Sequence, residues 1–142
     1  TGMVNIIKEA PPRKGYHQLA AGLVVTVGGY WAHHFDFGAT SRMVNPSLLG
    51  KSRAADIVVN VLLPFTFAWS KFHSDLELEQ KSLELYHRHP KLAANNIEQH
   101  MRTQLGLNSS QVNSARQQQG LLHIYETRCT QGKCDSCPLA AS

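Results

Sequence analysis

Ile57-Val58-Val59-Asn60-Val61-Leu62-Leu63-Pro64-Phe65-Thr66-Phe67-Ala68-Trp69 is the longest apolar run in the chain, and its reading decides the fold. A membrane span takes about twenty apolar residues, and this run is shorter and broken by Asn60, Pro64 and Thr66. Apolar on nearly every side, it reads instead as a buried helix, the central element of a small helical domain. The helix is expected to start near Ser47 to Ser52 and to continue to about Phe72. Pro64 takes away one backbone donor and frees the carbonyl of Asn60, so a kink is predicted there. Asp56 and Asn60 stand at i and i+4 on one face, with Arg53 one turn earlier, and read as a buried polar network pinning neighbouring loops.

Outward from this helix the chain punctuates itself. Residues 1–15 read as a poorly structured lead-in, because Pro11-Pro12 and Gly15 interrupt any regular element. A short helix is expected from Tyr16 to about Gly22. Leu23–Val27, bounded by Gly28-Gly29, and the aromatic–polar alternation of Tyr30–Phe37 read as a small β-hairpin near residues 23–37. Gly38 to Pro46 is loop, with Asn45-Pro46-Ser47 turning toward the central helix. Toward the C-terminus, helices are expected over about Asp75–His87, over Asn95–Leu105 with an Asn cap and a Gly106 stop, and from Ser109 or Ser110 to about Arg128. No repeat or linker divides the chain. The expectation is a mainly α fold, a compact bundle of about four to five helices forming one domain over residues 16–142.

Composition sets the outer limits. The 142 residues are 42% hydrophobic and only 17% charged, enough for a core and too apolar for global disorder. The net charge of +4 comes from 14 Lys and Arg against 10 Asp and Glu. These cations are scattered, so nucleic-acid binding is permitted without being indicated. Three closely spaced cysteines without a secretory leader point to a reducing compartment, and the expected location is the cytoplasm. The opening Thr1-Gly2-Met3 reads as a cut from a longer protein or a remnant of preparation.

The segment with the strongest chemical signal is Cys129-Thr-Gln-Gly-Lys-Cys134-Asp-Ser-Cys137-Pro138. A C-x2-C pair across a small turn presents two thiolates to one tetrahedral ion, and Gly132 lets the loop fold back. Lys133 and Arg128 favour thiolates over thiols. Zinc needs a fourth ligand, for which His123 is the nearest candidate, with His100, His33 and His34 as others. The same spacing occurs around iron–sulfur clusters, but those take a fourth cysteine, which this chain lacks. A Cys134–Cys137 redox pair or free thiols on the tail are the remaining readings.

Two further motifs carry less. In Trp31-Ala32-His33-His34-Phe35-Asp36-Phe37 the adjacent histidines point to opposite faces of an extended strand. One is therefore expected to pack or hydrogen-bond under the aromatics and the other to be solvated. Leu48-Leu49-Gly50-Lys51-Ser52 is not a P-loop, since Asn45 stands where its first glycine belongs.

Taken together, Tyr30-Trp31-Ala32-His33-His34-Phe35-Asp36-Phe37-Gly38, Leu49-Gly50-Lys51-Ser52, Ile57 to Pro64 and the cysteine block resemble the C-terminal part of the bacterial family known as domain of unknown function 2851. The likeness covers the chain from about Tyr16 onward. It implies Trp31, His34, Gly38, Gly50, Lys51, Asn60, Pro64 and the three cysteines as the family's motif positions. It also implies a longer protein, whose N-terminal part would be this chain's partner, and it supplies no activity. The function expected is a structural or interaction module, its tail held by zinc on Cys129, Cys134, Cys137 and His123. Two alternatives stand beside it. One is part of an enzyme site built from His34, Lys51, Asp56 and Asn60 and completed by the N-terminal half; the other is a weak nucleic-acid accessory domain.

Overall fold

The computed structural model describes residues 2–11, 14–34, 36–38, 40, 47–137 and 139. The Asn45-Pro46 turn, Pro12, Phe35 and the Pro138 exit named above lie outside the described residues. The protein is mainly α-helical with one small antiparallel sheet. Its contacts divide it into two compact units, Thr1–Leu85 and Tyr86–Ser142, where the sequence suggests one continuous domain.

The first unit opens with α1 (Gly2–Glu9), a helix where a poorly structured lead-in was expected. Local propensity is not what holds it. Ile7 and Ala10 are buried, and the Lys8 ammonium lies 2.8 Å from Asp75 Oδ2 and 3.3 Å from Glu77 Oε2. Burial of an apolar face stabilises a short helix that would be marginal alone. Next comes α2 (Gly15–Leu23), with Gly15 buried and Leu19 in the core. The sheet pairs β1 (Val25–Thr26) with β2 (Ser47–Leu49), Val25 facing Leu49 and Thr26 facing Ser47 across an irregularity. Its second strand therefore comes from residue 47 onward, not from Tyr30–Phe37. Gly29–Ala32 winds as a 3₁₀ turn instead.

Helix α3 (Lys51–Ile57) passes through a π-turn over Val58–Leu62 directly into α4 (Leu63–Phe72). The Leu63 amide reaches back five residues to the Val58 carbonyl. This wide turn sits immediately before Pro64, where an ordinary α-turn would bring the proline ring against the Asn60 carbonyl. The helix is thus continuous through the proline, with an inserted residue as the means. α5 (Leu76–Arg88) follows, capped by Asp75 Oδ1 accepting from the Leu78 amide at 3.1 Å. Ala54, Val58, Val59, Leu62 and Leu63 join Leu78 and Leu85 among the unit's buried residues.

The second unit is built on α6 (Asn96–Gln104) and α7 (Ala115–Ile124), the latter running on into a π-turn over Tyr125–Cys129. Asn95 caps α6 by accepting from the Glu98 amide, and Gly106 ends it at φ +63°. α7 begins later than expected. Ser114 caps it, in a reciprocal capping box with Gln117, while Ser110 is tied to Asn108 in a turn. Met101, Val112 and Leu121 form the unit's core, with Ile97, Leu105 and Tyr125 among the residues packed around it.

Candidate functional site

The long helix of the first unit has two apolar faces and buries only one of them. Ala54, Val58, Leu62, Thr66 and Ser70, four apart, are buried. On the adjoining face Val61 is 59% exposed, Phe65 60%, Trp69 46% and Phe72 84%. Their spacing of four, four and three residues puts them on one stripe, about 16 Å long at the helical rise. Leu76, the first residue of α5, extends the apolar surface at 69% exposure. The rings form a chain: Phe65 to Trp69 at 6.0 Å and Trp69 to His73 at 4.3 Å between centroids. Among the described residues, Lys51–Phe72 is also the one helical run long and apolar enough to cross a membrane by length and composition, with a third of its apolar window buried. Phe72 also meets His73, at 5.1 Å between centroids, so the exposed rings are contiguous.

Polar groups occupy the buried face, and not the ones expected. The Thr66 hydroxyl lies 3.0 Å from both the Leu62 and Leu63 carbonyls, and Ser82 Oγ stands 3.1 Å from Thr66 Oγ1 and 2.7 Å from the Leu78 carbonyl. This pair ties α4 to α5. Asn60, expected in a buried network with Asp56, is exposed and donates from Nδ2 to the Asp56 carbonyl at 2.9 Å. Asp56 and Asn60 do share a face, but it lies about 200° around the helix from Ala54, Val58 and Leu62. Arg53 approaches Asp56 only to 3.9 Å and is itself exposed.

Of the other residues singled out, Lys51 is exposed at the start of α3. His34 stacks on Tyr30 at 3.9 Å, and its Nδ1 lies 2.8 Å from the Tyr30 carbonyl, so Nδ1 carries the proton it donates. His33 is solvent-exposed. One histidine is packed and the other solvated, as expected, although the segment ends a 3₁₀ turn and is not the extended strand on which that expectation rested. Among the described residues no hydrogen bond or ion pair joins His34 to Lys51, Asp56 or Asn60.

In the second unit the cysteines diverge. Cys129 is half-buried with Sγ 3.9 Å from Met101 Sδ, against the core, whereas Cys134 is exposed. Cys137 and His123 line a common cleft of about 600 Å³ with Ile124, Arg128, Lys133 and Leu139. Among the described residues no three His, Cys, Asp or Glu side chains stand close enough to hold one metal ion. The spacing C-x4-C-x2-C thus places two of its thiols in different surroundings, one toward the core and one toward the cleft.

A carboxylate that the sequence reading passed over anchors this unit. Glu98 is fully buried. Its Oε1 accepts from Lys91 Nζ at 2.7 Å and lies 2.9 Å from Arg102 Nε, and its Oε2 accepts from Gln118 Nε2 at 2.8 Å. Burial pushes the carboxyl up, but the hydrogen bonds from Lys91 and Gln118 and the two cationic charges outweigh it and hold Glu98 below its ordinary value. Gln118 also pairs with both backbone groups of Leu92, at 2.7 and 3.2 Å. The sequence signals were Glu98 and Arg102 four residues apart on a helix and a lysine seven residues before, while Gln118 sits in a polar stretch without any.

The family model described as protein of unknown function (DUF2851) matches residues 3–96, more than half of the chain. The chain belongs to this family. Within DUF2851 the matched residues take in the whole of the aromatic stripe, from Val61 to Leu76, together with Trp31, His34, Lys51 and Pro64. The cleft and the three cysteines fall beyond the matched residues. No curated protein and no solved structure matches the chain.

Proposed function

We propose that this DUF2851 chain works as an interaction module whose docking face is the stripe Val61–Phe65–Trp69–Phe72, and that its partner is the N-terminal part of the longer family protein. The observation that carries this is the exposure of three aromatic side chains in register on a helix whose other face is already packed. Leaving these rings in water is unfavourable, by about 1.5–3 kcal/mol for each large side chain that could be buried. Aromatic residues at the centre of an interface are also the ones that carry most of its binding energy.

The test is co-expression of this chain with the N-terminal part on a separate chain, followed by affinity measurement. Trp69→Ser and Phe72→Ser should each weaken binding at least tenfold, about 1.4 kcal/mol. Neither should shift the thermal melt of the isolated chain by more than about 0.5 kcal/mol equivalent, because surface positions contribute little to folding. Unchanged affinity in both variants would overturn the proposal. So would concentration-dependent self-association abolished by the same substitutions, or partition of the wild-type chain into neutral lipid vesicles, which would assign the stripe to a second copy or to a membrane.

A further inference from the structure

We propose that the cleft beside the end of α7 binds a small organic carboxylate with an apolar body. The chain builds this cleft from local bonds. After the π-turn Tyr125–Cys129, the Thr130 amide bonds the Tyr125 carbonyl at 3.0 Å, and the Gln131 and Lys133 amides both converge on the Arg128 carbonyl at 3.2 and 3.1 Å. Gly132 makes the reversal at φ +63°, a conformation that side chains disfavour. A second turn is closed by the Cys137 amide on the Cys134 carbonyl at 3.0 Å, and Cys137 and Leu139 line the cleft together with His123 and Ile124.

The cavity of about 600 Å³ lies within the size range of small-molecule sites, roughly 300–1,000 Å³. Ile124 and Leu139 give it hydrocarbon walls. Its charged groups are the basic side chains of Arg128 and Lys133, beside His123, and among the described residues no carboxylate lines it. Neither Arg128 nor Lys133 makes an ion pair among the described residues. A cation near a helix C-terminus is favourable by itself, which accounts for a basic residue there but not for an apolar concavity under two of them.

The same helix end disfavours a doubly charged anion more than a singly charged one, so the two side-chain cations must hold the ligand. The last carbonyls of a helix carry partial negative charge, and they offer none of the amide donors on which phosphate sites depend. A singly charged carboxylate suits two cationic side chains with no amide cradle. An apolar body then fills the space between Ile124 and Leu139.

Sodium octanoate titrated into the ¹⁵N-labelled full chain tests this, with octanol, inorganic phosphate and zinc sulfate titrated in parallel. Octanoate should shift amides across His123–Leu139. It should also slow iodoacetamide alkylation of Cys137 severalfold relative to exposed Cys134, read by mass spectrometry. Arg128→Gln and Lys133→Gln should each weaken octanoate binding about tenfold, the scale of one charge-assisted hydrogen bond, with the amide spectrum reporting that each variant is folded. Equal binding of octanol, or octanoate shifts confined to residues 61–72, would overturn the proposal. Inorganic phosphate binding as strongly as octanoate, or one equivalent of zinc excluding octanoate, would do the same, making the cleft a phosphate or a metal site.

Discussion

At the scale of single residues, Glu98 shows how a charge is kept inside a small unit. Two cations and one amide satisfy both of its oxygens, so its ionised form is favoured despite complete burial. Because the folded carboxyl sits below its ordinary value, its contribution to stability is fully present above the pKa of the unfolded chain. The contribution is lost as pH falls through the lower, folded value. Urea unfolding of the wild type between about pH 7 and pH 3 should show this loss, and Glu98→Gln should flatten that part of the profile. At neutral pH the same substitution should cost about 2–3 kcal/mol, since Lys91 and Arg102 lose their counter-charge in partly buried positions. A pH profile identical in wild type and variant would assign the network no role in stability.

At the scale of elements, ends and turns matter more than propensity. Ser114 and Gln117 satisfy each other's backbone groups at the start of α7, and Gln117 Oε1 also accepts from the Asn113 amide at 2.9 Å. Ser114→Ala should destabilise the second unit by about 1 kcal/mol, measured by thermal melting. An unchanged melt would show that Asn113 and Gln117 hold the cap without the hydroxyl. The two π-turns have separate effects. Val58–Leu62 lets a helix run on through a proline, and Tyr125–Cys129 turns Cys129 toward Met101 before the chain reverses.

At the scale of the whole molecule, the first unit closes around a position where only glycine fits. A Cβ on Gly15 would stand 2.6 Å from the Ala10 Cβ and 2.9 Å from Leu85 Cδ2. The end of α1, the start of α2 and the last turn of α5 therefore meet at contact distance. Gly15→Ala should destabilise the first unit by about 1–3 kcal/mol through overpacking. Both tryptophans, Trp31 and Trp69, lie in that unit, so a fluorescence-monitored denaturant titration reads it directly. A midpoint equal to that of the wild type would mean that α1 yields without cost.

Sequence alone determined the elements whose signals are local. Helix formation around residues 51–72, the Asn95 cap and the Gly106 stop all follow from neighbours within a few positions. The family resemblance was equally legible, because blocks such as Tyr30–Gly38 and Ile57–Pro64 are strings of residue types. Only the tertiary structure decided which side of the long helix is buried. Its apolar residues run around the whole circumference, so periodicity gave no preference, and packing chose the face with Thr66 and Ser70, where Ser82 supplies a partner. That choice left Phe65, Trp69 and Phe72 in solvent. Pairing of Val25–Thr26 with a strand some twenty residues later, the tie of the Gly2–Glu9 helix to Asp75, and the contact of Glu98 with Gln118 are likewise non-local. Each is stabilised by groups distant in sequence, and no window along the chain contains both partners.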